Sequence, residues 1–274
     1  KSGEGERYML LWIVTGLIIL FLVMPILIII PMSFSSSKYL TFPPPGFSMQ
    51  WYEEFFESDV WTRSLMNSLQ IGIITTVLAL ILGIMAAQGI HKSDFKGKGL
   101  LTDFFMMPML VPAIIVGVAI LRFESDLKIN GTITGLVTAH TLLAIPFVIR
   151  TVLASLAGLN PNYELAAQNL GATKFQAFMK VTFPIIKPAI FSGAMFAFAT
   201  SFDEIVVSQF ICGIKVKTLP KVMWDGLNQQ LDPTITSIAA IMITFITILM
   251  IIINAGDIFA RPAHVKEEAL PDEN

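Results

Sequence analysis

Long apolar stretches separated by short polar segments dominate the sequence. A bilayer core about 30 Å thick requires roughly 20 apolar residues in a helix. Because the stretches are solidly apolar rather than alternating, they predict helices and not the strands of a barrel. The predicted spans cover residues 9–32, 64–90, 101–122, 132–158, 185–213 and 234–257. The pattern therefore predicts an all-α membrane protein with six transmembrane helices, built as a single domain over residues 1–274.

Prolines and charges interrupt the middle spans. The third span is short and contains Pro108 and Pro112, and the fourth contains Pro146. Because proline has no N–H to donate within a helix, we expect kinks in these two spans. The charges within the apolar runs are Arg150 in the fourth and Lys187, Asp203 and Glu204 in the fifth.

Basic residues predict the orientation of the chain. With the N-terminus inside, the cytoplasmic segments hold 10 of the 18 Lys and Arg residues, including Lys1, Arg261 and Lys266, and the outer segments hold 7. The lysine-rich segment 91–99 is the strongest single contributor. Since basic residues favour the cytoplasmic side, both termini are predicted to be cytoplasmic.

Composition and motifs exclude several function classes. Only 14% of residues are charged, against about 25% in a soluble domain. The net charge of -2 gives no indication that the chain binds nucleic acid. Cys212 is the only cysteine, so an internal disulfide is excluded. The sequence has no phosphate-binding loop of the Gly-x-x-x-x-Gly-Lys-Ser/Thr kind, so this chain is not expected to bind ATP. It has no cluster of metal ligands and no nucleophilic triad, so we predict no catalytic residue and no metal site.

The predicted cytoplasmic loop at residues 160–184 has the signals of two short helices. Asn160 followed by Pro161 predicts the start of the first helix, and Gly171 predicts its end in a left-handed conformation. Thr173 with Gln176 three residues later forms a capping box for the second helix.

The second loop helix is predicted to have an apolar face. Phe175, Phe178 and Met179 fall on one side of it, and Pro184 is expected to close it and to start the fifth span. The pattern fits a helix that lies on the membrane surface, and it fits equally a docking element for a cytoplasmic protein.

This loop resembles the coupling-loop motif of permease subunits of binding-protein-dependent ABC importers. That motif runs Glu-Ala-Ala, three residues, Gly, nine residues, Ile, one residue, Leu-Pro. The matching positions here are Ala166, Ala167, Gly171, Val181, Phe183 and Pro184, with Val for Ile and Phe for Leu. The acid of the motif falls on Leu165, whereas this chain has its acid one place earlier, at Glu164.

The resemblance implies a type I importer permease in the bacterial cytoplasmic (inner) membrane. It implies a second permease subunit, two copies of a cytoplasmic ATPase that bind ATP and Mg, and an extracytoplasmic solute-binding protein, with no cofactor in this chain. It assigns contact with the ATPase to the loop, with Glu164, Ala166, Ala167, Gly171, Phe175 and Pro184 as the candidate coupling residues.

Three further segments are similar to spermidine/putrescine-type permeases. They are residues 43–48 with Trp51 and Tyr52, residues 201–208, and residues 218–220 with Trp224 and the Asp232-Pro233 pair. This similarity implies a polyamine as the solute. Importers for iron, sulfate, phosphonates and opines belong to the same family, so another solute is the alternative.

Asp203 and Glu204 lie within the predicted fifth span. An acid at mid-membrane costs about 2.5–3.5 kcal/mol on insertion scales, and such residues face a bundle interior or a water-filled path. Lining the solute pathway is one interpretation, and it favours a cationic solute. The other is a structural role, such as pairing with Arg122 or with backbone near Pro108 or Pro112. The candidate pathway residues are Ser201, Phe202, Asp203, Glu204 and Trp224.

Two other function classes compete with the importer permease. An ion-coupled secondary transporter predicts inverted repeats, and the sequence has none that is visible by eye. A membrane-embedded enzyme requires reactive groups at one depth, and only the pair Asp203 and Glu204 approaches this. His140, in the fourth span, is expected to be a packed or hydrogen-bonded residue.

Overall fold

The computed structural model describes residues 2–229 and 232–260, and every regular element in these ranges is a helix. In chain order the helices are α1 (Ser2–Ser33), α2 (Gln50–Glu57), α3 (Asp59–Lys92), α4 (Lys98–Leu110), α5 (Ala113–Leu127), α6 (Ile133–Ala157), α7 (Asn162–Asn169), α8 (Lys174–Ala177), a π turn (Phe178–Thr182), α9 (Phe183–Phe202), α10 (Val206–Ile211), α11 (Leu219–Gln229) and α12 (Thr234–Ala260). The all-α prediction is confirmed for the described residues. Lys1, Arg261 and Lys266, which entered the orientation prediction, lie outside them.

Four of these helical segments are long and apolar enough to cross a membrane. They are Tyr8–Ser33, Asp59–Lys92, Ile133–Ala157 and Lys174–Phe202, and α4 with α5 adds a fifth if the bent pair is one span. In α12 the segment Thr234–Ile248 is also an apolar helix. The first, second and fourth predicted spans therefore coincide with α1, α3 and α6, and the total of six stays a prediction.

The predicted third span, residues 101–122, is not one straight helix. Helices α4 and α5 meet at an angle of 100° around Val111 and Pro112. Val111 is extended, with φ -78° and ψ 134°, because the ring of a following proline disfavours the helical conformation. The predicted kink is thus a full break at Pro112, while Pro108 and Pro146 lie inside α4 and α6.

The predicted fifth span, residues 185–213, differs from the structure at both ends. Pro184 does not close the loop helix as predicted, because a π turn carries the helix from α8 directly into α9. In that turn the Phe183 N–H donates to the Phe178 carbonyl, five residues back, so the chain stays helical up to a residue that has no N–H of its own. At the other end α9 stops at Phe202, and α10 begins at Val206.

Helix α6 is the centre of the packing. One buried cluster joins it to α3 and α9, and a second joins it to α5 and α10. A third cluster joins α2, α3, α11 and α12. Helix α1 packs chiefly along α12, and most of its described apolar side chains are exposed, as suits a helix that faces lipid.

Small residues allow α3 and α6 to approach closely. A Cβ atom added to Gly83 would lie 2.7 Å from Cγ1 and 2.8 Å from Cβ of Val148. Helix pairs in membranes depend on such contacts, because lipid supplies no hydrophobic force between them. Gly89, on the same helix, has nothing within 4 Å of its Cβ position and therefore makes no such contact.

We expect Gly83→Ala to destabilise the fold by about 1–3 kcal/mol, the usual cost of overpacking a tight core. Gly89→Ala is the matched control and should leave stability unchanged or slightly raised, because alanine favours the helix. Thermal unfolding of the two purified variants in detergent provides the measurement. Equal midpoints for both variants would show that the contact with Val148 is not a close-packing constraint.

Candidate functional site

The loop between α6 and α9 adopts the two-helix form that its sequence predicts. The Asn160 side chain accepts a hydrogen bond from the Asn162 N–H at 3.0 Å, and α7 begins there, one residue later than predicted. Gly171 has φ +91°, the left-handed conformation expected after the first helix. The second helix starts with the predicted capping box, in which the Gln176 N–H donates to Thr173 Oγ1 at 3.2 Å and the Thr173 N–H donates to Gln176 Oε1 at 2.9 Å.

Glu164 fixes this loop to the membrane spans. Lys92 Nζ, at the end of α3, lies 2.7 Å from Glu164 Oε2, and the Thr182 hydroxyl in the π turn donates to the same carboxylate. Burial alone would raise the pKa of Glu164, but the hydrogen bonds from Lys92 and Thr182 and the positive charge of Lys92 together lower it below its ordinary value. Glu164 is therefore an ionised link between α7, α3 and the start of α9.

Several large apolar side chains of the loop are exposed. Phe175 is 73% exposed and Leu170 is 90% exposed, whereas Phe178 packs against the buried cluster of α3, α6 and α9. The predicted face of the second helix is thus divided between solvent and core. We call the following exposed side chains the apolar loop face: Tyr163, Leu165, Leu170, Phe175 and Met179. Of the other candidate coupling residues, Ala166 and Pro184 are exposed and Ala167 is partly buried.

The second candidate region is the break between α9 and α10. Glu204 caps α10: its Oε1 accepts from the Val207 N–H at 2.7 Å, and its Oε2 accepts from the Ser208 N–H at 2.8 Å. Because these two N–H groups belong to the first turn of α10, no helical carbonyl is available to them. Arg122, one partner that the sequence suggested for the acidic pair, instead lies 3.3 Å from Asp126.

The five candidate pathway residues have different surroundings. Asp203 is exposed, and Trp224 on α11 is 50% exposed. Ser201 and Phe202 are buried, and the side chain of Glu204 is only 8% exposed. The Phe202 ring stacks on Phe198 with the ring centroids 5.4 Å apart. Asp203 and Trp224 are therefore the members of this set whose side chains are most available to a solute.

His140 is a hydrogen-bonded core residue, as predicted. It is fully buried, with Nδ1 2.8 Å from Ser201 Oγ and Nε2 3.2 Å from Ser208 Oγ. Its contacts lie on α9 and α10, on either side of the break.

The structure also contains a buried acid that the sequence did not single out. Glu124 on α5 is fully buried, and neither carboxylate oxygen has a hydrogen-bond partner among the described residues. Only the approach of Gly135, whose Cβ position lies 2.6 Å from Glu124 Oε2, brings α6 over this carboxylate.

Comparison with known proteins identifies the family of this chain. The family model described as "Binding-protein-dependent transport system inner membrane component" matches residues 79–261. The chain is 29% identical to the spermidine/putrescine transport system permease protein PotC of Haemophilus influenzae, over 85% of this chain and 90% of that one. It is 30% identical to the putrescine transport system permease protein PotI of Escherichia coli, over 81% and 82%.

Relatives with other solutes are similar at the same level. The trehalose transport system permease protein SugB of Mycobacterium tuberculosis is 30% identical, over 91% of this chain and 94% of that one. A crystal structure of a bacterial ABC transporter involved in the import of the acidic polysaccharide alginate matches with a TM-score of 0.70 at 16% identity, over 95% of this chain and 99% of that one. The fold and the family model agree, and the matched region includes the capped loop at residues 160–184 and the break at residues 203–205. The chain therefore belongs to the family of inner membrane components of binding-protein-dependent transport systems, and it is a multi-pass permease subunit rather than an enzyme.

Proposed function

We propose that this chain forms half of the translocation pathway of an ATP-driven importer for a small cationic solute. In this proposal it pairs with a second permease subunit, two copies of a cytoplasmic ATPase and an extracytoplasmic solute-binding protein. ATP and Mg are bound by the ATPase. The chain spans the bacterial inner membrane six times with both termini in the cytoplasm. Reconstitution with these partners tests the proposal directly, because transport by the chain alone in vesicles would favour an ion-coupled secondary transporter instead.

The apolar loop face is the observation that carries the coupling role. A cluster of exposed Leu, Phe, Tyr and Met side chains on well-capped helices is unfavourable in water and fits an apolar groove on a partner. The ion pair of Glu164 with Lys92 and the hydrogen bond from Thr182 join this face to α3 and α9. A partner that moves the loop therefore also moves two helices of the packed core.

The choice of solute depends on charge. The names of the relatives leave it open, because polyamine and trehalose permeases are about equally similar to this chain. An exposed carboxylate at a helix break within the bundle attracts a cation and repels an anion. Asp203 therefore favours a polyamine such as spermidine or putrescine over a phosphonate. An opine or iron importer of the same class is the alternative.

We expect Leu170→Ser with Phe175→Ser to weaken the association of the ATPase subunit, because both side chains lose apolar surface that the groove would bury. Co-purification of the ATPase with the permease, together with solute-stimulated ATP hydrolysis, provides the measurement. Phe47→Ser is the matched control, since Phe47 is 76% exposed but lies in the segment before α2. Full co-purification of the double variant would assign the apolar loop face to the membrane surface.

We expect Glu164→Gln to raise the ATP hydrolysed per solute carried by about two- to fivefold, the size expected for one partly exposed ion pair. The ATPase should remain bound, because the apolar loop face is unchanged. Since the pKa of Glu164 is lowered, the link is fully present above the ordinary glutamate pKa and is lost only as the pH falls through the lowered value. The wild-type ratio should therefore not vary through this group between pH 6 and 8. A normal ratio in the variant would show that the link carries no motion.

We expect Asp203→Asn to raise the KM for spermidine uptake by about 10- to 100-fold, because a charged hydrogen bond worth about 1.5–3 kcal/mol is lost. Assembly of the importer should not change. Asp126→Asn on α5 removes an acid whose partner is Arg122 and serves as the control. An unchanged KM in the Asp203 variant would remove this residue from the pathway.

A further inference from the structure

A buried polar cluster stabilises the break between α9 and α10. The end of one helix and the start of the next do not by themselves require such a cluster. Glu204 satisfies the N–H groups of Val207 and Ser208 at the start of α10. His140, on α6, adds contacts to Ser201 before the break and to Ser208 after it. All these side chains are buried or nearly so, with His140 and Ser208 fully inaccessible to solvent.

The two serines match the hydrogen-bonding capacity of a neutral imidazole. One ring nitrogen of a neutral histidine donates and the other accepts, and a hydroxyl serves either role. Glu204 Oε2 lies 3.9 Å from Nε2, so the tautomer with its N–H on Nε2 directs the positive end of that bond towards the carboxylate. We assign this tautomer: Nε2–H donates to Ser208, and the Ser201 hydroxyl donates to Nδ1.

Core stability does not account for this arrangement. Burial of an imidazole, two hydroxyls and a carboxylate is costly unless every group is paired, and apolar side chains of similar volume generally stabilise a core as well or better. A fully paired polar network does, however, define one geometry. Here the geometry that is fixed is the backbone path from Ser201 to Ser208, and this segment contains Asp203.

We propose that His140 is a positioning residue for Asp203. By bonding to both flanks of the break it fixes the three-residue turn and holds the Asp203 carboxylate at one place in the solute pathway. This inference rests on the proposed pathway role of Asp203. The position of residue 203 that it predicts can be tested without any solute.

Cysteine accessibility tests the positioning role without a solute. The assembled importer carries Cys212→Ser and Asp203→Cys, with or without His140→Phe. It is treated with a small cationic thiol reagent, and the rate at which residue 203 is modified is measured. We expect His140→Phe to change the modification rate by about fivefold or more, the effect of losing one hydrogen bond or two. His140→Gln keeps a donor and an acceptor and should restore much of the wild-type rate.

Thr141→Val is the matched control. Thr141 is the next residue on α6 and is 7% exposed, and its hydroxyl has no hydrogen-bond partner among the described residues. The Thr141→Val substitution removes a buried hydroxyl that does not bond to the break, so the modification rate of residue 203 should stay at the value seen with His140 and Thr141 intact. If His140→Phe does not assemble, Ser201→Ala and Ser208→Ala each remove one of the two bonds and should change the rate in the same way. A rate that is equal in all of these variants overturns the positioning role.

Uptake kinetics separate this inference from the proposed function. In the importer with Asp203 present, His140→Phe should raise the KM for spermidine about fivefold or more with little change in maximal rate. With Asp203→Asn, the same substitution should have no further effect, because the group that it positions is gone. Additive effects overturn the inference. A changed accessibility together with a normal KM for Asp203→Asn would retain the positioning role and reject the pathway role of Asp203.

Discussion

Within a membrane, a backbone N–H or carbonyl group that leaves a helix has no water to bond to, and each such group must find a partner inside the protein. Among the described residues, the packed spans are interrupted at Pro112 and at the turn of residues 203–205, and the start of α9 contains a π turn at residues 178–182. At Pro112, the proline itself removes one donor. At the turn of residues 203–205, the Glu204 carboxylate takes two donors. Of the candidate functional groups, Asp203 and Glu204 lie at the turn of residues 203–205, and Thr182, which bonds to Glu164, lies in the π turn.

The same packed helices connect the two candidate regions. Helix α6 packs against α3 and α9 along one cluster and against α5 and α10 along another. The loop that follows α6 is fastened to α3 through Lys92 and to the start of α9 through Thr182, while His140 of α6 reaches the end of α9 and the start of α10. The loop and Asp203 are therefore connected through the same helix, α9, since Thr182 precedes its first residue and Asp203 follows its last. Tight contacts such as that of Gly83 with Val148 resist local deformation and favour movement of whole helices.

Glu164 has a different place from the acid of the family motif. The residue at the motif position is Leu165, which is 54% exposed and contributes to the apolar loop face, while Glu164 turns towards Lys92 and Thr182. One step along a helix rotates a side chain by about 100°, so an acid moved by one place serves the interior of the chain instead of its surface. In this chain Leu165 is therefore the exposed residue at the motif position, and the Glu164 carboxylate binds Lys92 and Thr182 within the chain.

The sequence by itself determined the elements whose signals are local. Apolar length predicted α1, α3 and α6, and capping chemistry predicted the turn at Gly171 and the box of Thr173 with Gln176, because these depend on residues only a few positions apart. Only the tertiary structure decided which acids face inward. Glu204 caps α10 while Asp203 beside it is exposed, and Glu124, in a charged stretch, is buried beneath Gly135. It also decided that Pro184 continues a helix through a π turn. These outcomes depend on which helices pack together, and residues far apart in the chain, such as His140 and Ser208, meet only after that packing has formed.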